Sequence, residues 1–110
     1  MSDVGTVHIK RGSSKPIRAK LQQGDGTAMP DLGTTPVRFQ TRSIEGGPLV
    51  MDRLATVVNA MTGEVEVVPI ENDVAVVGKY WGEWRIEYPG GDEVLPDRWY
   101  IRLVVEDDLA

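Results

Sequence analysis

Apolar and polar residues alternate along most of this chain, and helical spacing is almost absent. Ile17, Ala19 and Leu21 alternate with Arg18, Lys20 and Gln22 until Gly24-Asp25-Gly26 breaks the run. Val37, Phe39 and Thr41 alternate with Arg38, Gln40 and Arg42, and Gly46-Gly47-Pro48 ends that segment. Residues 54–60 and 64–68 flank Met61-Thr62-Gly63, a short glycine-containing loop of hairpin type. Two longer runs follow at 79–88 and 98–106, and 5–10 reads as a short first strand. About seven strands divided by turn signals at roughly 8–12-residue spacing predict an antiparallel sandwich or barrel.

The two long runs specify a register. Aligned antiparallel with partner numbers summing to 185, one face pairs Tyr80 with Val105, Gly82 with Leu103, Trp84 with Ile101 and Ile86 with Trp99. The other face pairs Glu83 with Arg102, Arg85 with Tyr100 and Glu87 with Arg98. A slip of one residue would mix the apolar and charged faces. Phe39, Trp84, Ile86, Trp99, Ile101 and Leu103 are the expected core. Trp81, Tyr100 and Val104 fall on the polar face and are candidate interface anchors. The competing reading of Trp81 is that a loop or the N-terminal segment covers it.

Upstream of that hairpin, Asn72-Asp73-Val74-Ala75 leads through Val77-Gly78 to Tyr80 at a strand start. In immunoglobulin-type sandwiches a tyrosine so placed hydrogen-bonds back to the preceding corner. Tyr80 is therefore expected to form a tyrosine corner, with Asp73 capping the short helical turn before it. An ordinary core tyrosine after a polar loop is the plainer alternative.

Composition narrows the chemistry. The chain has 110 residues, room for one domain, with 1–4 reading as an unordered start and 107–110 as a tail. No cysteine is present, which excludes disulfides, thiol nucleophiles and Cys-based zinc sites, and His8 is the one histidine. A net charge of −5 argues against a nucleic-acid or anionic-membrane partner. The start carries no secretory signal, and the longest apolar run, 74–77, is far short of a membrane span. Charge is unevenly distributed: residues 1–55 hold 8 Lys+Arg against 5 Asp+Glu, whereas 56–110 hold 4 against 12. Opposite patches of +3 and −8 would suit a head-to-tail contact, unless folding interleaves the two halves.

Catalytic signals are weak. Ser2, Ser13, Ser14 and Ser43 lie in no Gly-x-Ser-x-Gly turn, and His8 sits near the N-terminus. Asp92-Glu93 and Glu106-Asp107-Asp108 are adjacent acids of the solvated kind rather than a pair across a cleft. Asp25, Asp31, Asp73, Asp92 and Asp97 lack EF-hand spacing, so no metal or cofactor is expected. Gly24-Asp25-Gly26 lacks the lysine and helix of a phosphate loop and reads as a hairpin turn.

A family resemblance adds a function. The run Ile17-Arg18-Ala19-Lys20-Leu21, then Asp25-Gly26, Asp31-Leu32 and Val37-Arg38-Phe39, resembles the opening of the phage baseplate upper protein N-terminal domain. Ala60-Met61-Thr62-Gly63-Glu64-Val65, Asn72-Asp73 and Gly78-Lys79-Tyr80-Trp81-Gly82-Glu83-Trp84 continue the likeness. Tyr88-Pro89-Gly90-Gly91 and Val104-Val105-Glu106-Asp107-Asp108-Leu109 complete it, over about residues 15–109. The resemblance implies an immunoglobulin-like β-sandwich that is a non-enzymatic structural part of a phage or prophage virion, made in the host bacterial cytoplasm. Its implied partners are other phage structural proteins, with a homo-oligomer as a further expectation, and neither nucleic acid nor membrane. Baseplate proteins continue into long coiled or receptor-binding regions, so a sequence ending after the sandwich points to an adaptor, tail or neck component, or decoration. The alternative is a carbohydrate-binding module using Trp81 and Tyr100 as a stacking platform for host-surface glycans.

Overall fold

The computed structural model describes residues 3–95 and 100–107. Nine strands are formed among them: β1 (Asp3–Lys10), β2 (Ile17–Lys20), β3 (Val37–Ser43), β4 (Leu49–Leu54), β5 (Thr56–Asn59), β6 (Glu64–Val67), β7 (Gly78–Tyr88), β8 (Gly91–Leu95) and β9 (Tyr100–Glu106). Short 3₁₀ turns at Leu32–Thr34 and Glu71–Val74 are the helical elements. One sheet has the order β1-β9-β7-β3-β4, with β8 also paired to β7, and the other has the order β2-β6-β5. The fold is an all-β, immunoglobulin-like sandwich with nine strands where seven were expected. Pairing in β1 begins at Asp3, inside the stretch expected to be an unordered start.

The two additional strands carry little alternation. β4 buries one side chain fully, Met51, opposite Thr41, and runs along the edge of its sheet. β8 is the acidic segment read as a solvated loop. It folds back on β7 through the two-residue link Pro89-Gly90, pairing Tyr88 with Gly91 and Trp84 with Leu95. One pairing departs from the antiparallel expectation: β1 runs parallel to β9, from Asp3 opposite Tyr100 to Lys10 opposite Glu106.

The register of β7 against β9 also differs from expectation. Tyr80 lies opposite Leu103, Trp81 opposite Arg102 and Gly82 opposite Ile101, a shift of two residues. β7 changes partner here: it pairs β9 up to Gly82, opposite Ile101, and β8 from Trp84, opposite Leu95. An even shift preserves side-chain parity, so the faces survive although the partners change. Arg102 therefore faces Trp81 rather than Glu83, and Arg85 faces Val94 rather than Tyr100.

The core spans both sheets. Phe39, Trp84, Ile86 and Leu103 are buried as expected, and Ile101 is partly buried against them. Trp99 lies outside the described residues. Ile17, Leu21, Val65 and Val67 supply the other layer, with Leu32 from the first 3₁₀ turn. Phe39 and Trp84 are cross-strand neighbours with ring centroids 4.6 Å apart and planes tilted by 44°, a favourable aromatic geometry. Gly82 makes room for them, because a Cβ there would stand 2.7 Å from Phe39 Cζ.

The halves of opposite charge are interleaved. Each of the pairings β1–β9, β2–β6 and β3–β7 joins a strand from the first half to one from the second. The ion pairs His8–Glu106, Arg11–Asp107, Arg18–Glu66, Arg38–Glu87 and Arg53–Asp73 all bridge the halves. Among the described residues the charges of the two halves are thus brought side by side by the strand pairing.

The corner before β7 is tightly held. Tyr80 Oη donates to the Val76 carbonyl at 2.5 Å, four residues back. Asp73, 6% exposed, accepts from the Ile70 N–H at 2.9 Å and receives both Nε and a terminal nitrogen of Arg53, at 2.6 and 3.3 Å. It occupies the third position of its turn and caps backward onto Ile70. The bond to Asp73 raises the Arg53 pKa above its usual value, against desolvation. Burial alone raises that of Tyr80 above 10.0. A phenol with a raised folded pKa stabilises fully below the unfolded value and loses that contribution as pH rises through the folded one. Between those two values the unfolded chain ionises first, so stability should begin to fall as pH passes about 10. Tyr80→Phe should cost about 0.5–1.5 kcal/mol at pH 7 and flatten this alkaline slope. Urea melts at pH 7 and pH 10.5 check both, and an unchanged slope would separate the corner from the alkaline effect.

Candidate functional site: the docking surfaces

The exposed face of the large sheet is a polar network. Arg38 and Arg85 stand directly opposite each other, and acids relieve their repulsion. Arg38 reaches Glu87 at 3.2 Å and Asp52 at 3.4 Å. Arg85 reaches Asp92 at 3.2 Å, Glu83 at 3.7 Å and the Gln40 side-chain oxygen at 3.2 Å. Such exposed pairs contribute roughly 0–1 kcal/mol each and chiefly keep this face solvated.

The sequence placed three anchors on this face. Trp81 is half-buried, between Arg42 on β3 and Arg102 on β9. The Arg102 guanidinium carbon lies 5.5 Å from the Trp81 ring centre, within cation–π range. A shallow depression beside the ring is lined by Gln40, Thr41, Arg42, Leu49 and Glu83. Val104 is half-buried between Lys79 and His8. Tyr100 joins β9 through its backbone, opposite Asp3.

Exposed apolar side chains gather elsewhere, at the end where β7 begins and β3 and β9 finish. Of the ten large apolar residues exposed among the described residues, four lie there. Ile44, Val50, Val76 and Val77 line one groove of about 500 Å³, with Glu45 and Lys79 also in its wall. Val76 is 67% exposed. This surface was not anticipated. Its signal was the apolar run 74–77, whose length speaks only to membrane spanning and whose exposure depends on the fold.

The groove walls are fixed by backbone bonds. The Ile44 N–H donates to the Lys79 carbonyl at 3.3 Å, the Gly12 N–H to the Val74 carbonyl at 2.9 Å, and Tyr80 pins Val76. A preformed apolar groove loses little conformational entropy on binding.

Side chains considered for chemistry have structural partners. His8 Nδ1 approaches Glu106 Oε1 at 3.3 Å on the exposed β1–β9 surface. Ser13 Oγ and Ser43 Oγ each accept the backbone N–H two residues ahead. Asp25 accepts the Thr27 hydroxyl at 2.6 Å and the Thr27 N–H at 3.0 Å, which lower its pKa and close the hairpin-like turn bridged by Gln22 and Ala28. Tyr88 Oη donates to the Pro30 carbonyl at 2.7 Å. Burial raises its pKa, helped by Asp31 and Glu93. Among the described residues no three acidic or histidine side chains converge as a metal site, and no helix is long and apolar enough to cross a membrane. Neither a protein-family model nor a curated protein matches this chain.

Proposed function

We propose that this chain is a non-enzymatic assembly module of a bacteriophage or prophage particle, made in the host bacterial cytoplasm and carried in the virion, where it docks other structural proteins. The observation that carries this reading is the apolar end. A solvated sandwich in which exposed Ile44, Val50, Val76 and Val77 line one preformed groove is suited to holding a protein surface. The likeness to the baseplate upper protein N-terminal domain, running through Gly78-Lys79-Tyr80-Trp81-Gly82-Glu83-Trp84, supports placing that docking in a phage tail, baseplate, neck or decoration layer. The glycan-binding alternative asks for an open aromatic platform, and Arg102 beside the half-buried Trp81 ring disfavours one there.

Quantitative mass spectrometry of gradient-purified particles from the host that carries the gene tests the reading. The expected result is this chain at a fixed copy number per particle. Particles that assemble without it would sink the proposal. Glycan-array binding lost on Trp81→Ala would favour the alternative.

A further inference from the structure

We propose that the apolar end is a self-complementary interface through which two copies of this chain associate about a two-fold axis. This deepens the docking reading, and rests on it, by naming the surface and the partner.

Three observations carry it. The first is the segregation itself: Ile44, Val50, Val76 and Val77 form a single groove, while the broad sheet face is covered by paired charges. Association through the sheet face would require desolvating those pairs, whereas the end presents apolar surface without that cost.

The second observation is charge. The groove wall carries one acid, Glu45, and one base, Lys79, and neither joins an ion pair among the described residues. A two-fold contact presents the same patch to itself, so every group must meet a complement on that same patch. Here Glu45 of one copy can meet Lys79 of the other, twice per dimer, around an uncharged centre. A differently charged partner would leave one of the two groups opposed by a like charge or by none.

The third is access. The adjoining loop tip is Gly46-Gly47, both at φ 99°, where a Cβ would meet nothing within 4 Å. The loop therefore adds no side chains that would hold the two ends apart.

Analytical ultracentrifugation of the full chain tests the proposal. Wild type should show a concentration-dependent monomer–dimer equilibrium. Glu45→Lys and Lys79→Glu should each weaken it by about tenfold, and the double swap should restore most of the affinity, because only the swap rebuilds both crossed pairs. Val76→Asp should abolish the dimer. Both charge reversals lie on the exposed surface, and circular dichroism confirms that each variant is folded, so the test stands even if Val76→Asp is not. A chain that remains monomeric at high concentration, or a dimer indifferent to both reversals, would overturn the proposal. Particle incorporation read on the same variants separates the two ideas. A monomeric chain that still enters particles through this end retains the docking role and removes self-association. A chain found in no particle removes the docking role, whatever its oligomeric state.

Discussion

Trp84→Ala is expected to bring the domain close to global unfolding at room temperature. Trp84 is 1% exposed, packs on Phe39 at the centre of the large sheet, and is flanked by Ile86 in the same strand face. Removing a fully buried large aromatic costs about 3–5 kcal/mol, against a total of about 5–15 kcal/mol for an ordinary domain. The melting temperature should fall by roughly 15–25 °C. Trp84→Phe is the informative companion. It keeps a ring against Phe39 and removes the indole Nε1, a buried donor without a hydrogen-bond partner among the described residues. Its loss should be less than half that of the alanine variant, because the phenylalanine cavity is smaller and no polar atom is left buried. Denaturant melts with unchanged slope check both. Equal losses for the two variants would mean that the indole is held by more than apolar packing.

The second large effect is expected at Gly63. This residue closes the β5–β6 hairpin at φ 82°, and its carbonyl accepts the Leu21 N–H at 2.8 Å. Two costs therefore combine in Gly63→Ala. A left-handed backbone costs a residue with a Cβ about 1–2 kcal/mol. The added carbon would also press into the Leu21 carbonyl oxygen, which accepts the Met29 N–H at 3.0 Å. A total loss of about 2–4 kcal/mol follows, shared between the backbone conformation and the clash. Gly26→Ala separates the two terms: Gly26 sits at φ 87° with nothing within 4 Å of a Cβ. It should lose only the conformational part, about 1 kcal/mol. Thermal melts that rank the two variants equally would remove the close approach to Leu21 from the account.

These two residues were legible in the sequence to different depths. Trp84 was placed in the core by alternation alone, because inward residues recur every second position whatever the strand pairs with. That is why Phe39, Ile86 and Leu103 were also placed correctly despite a two-residue error in the register of β7 against β9. Gly63 was read only as a turn. Its close approach to Leu21, just past β2 and more than forty positions away, follows from the β2–β6 pairing. β4 and β8 were missed because an edge strand with one buried side chain, and an acidic strand with none fully buried, leave no period-two trace. The tyrosine corner was visible in the spacing of Tyr80 from the turn before it. The arginine that clamps Asp73 was not, since Arg53 lies twenty residues upstream on another strand.

The docking surface shows the same division. The sequence presented Trp81, Tyr100 and Val104 as outward residues of a strong hairpin, and parity indeed places Trp81 and Val104 on the outer face. Tertiary structure then set Arg102 beside the Trp81 ring and left the two residues half-buried. It also brought Ile44, just past β3, and Val50 of β4 together with Val76 and Val77, just before β7. Sequence alone determined the fold class and the faces of the main strands, because both follow from local periodicity, and composition fixed the absence of cysteine and the single histidine. Register, the mixing of the charged halves and the apolar end were decided by the tertiary structure. Each depends on which distant segments the sheet order makes neighbours, and no local pattern encodes that order.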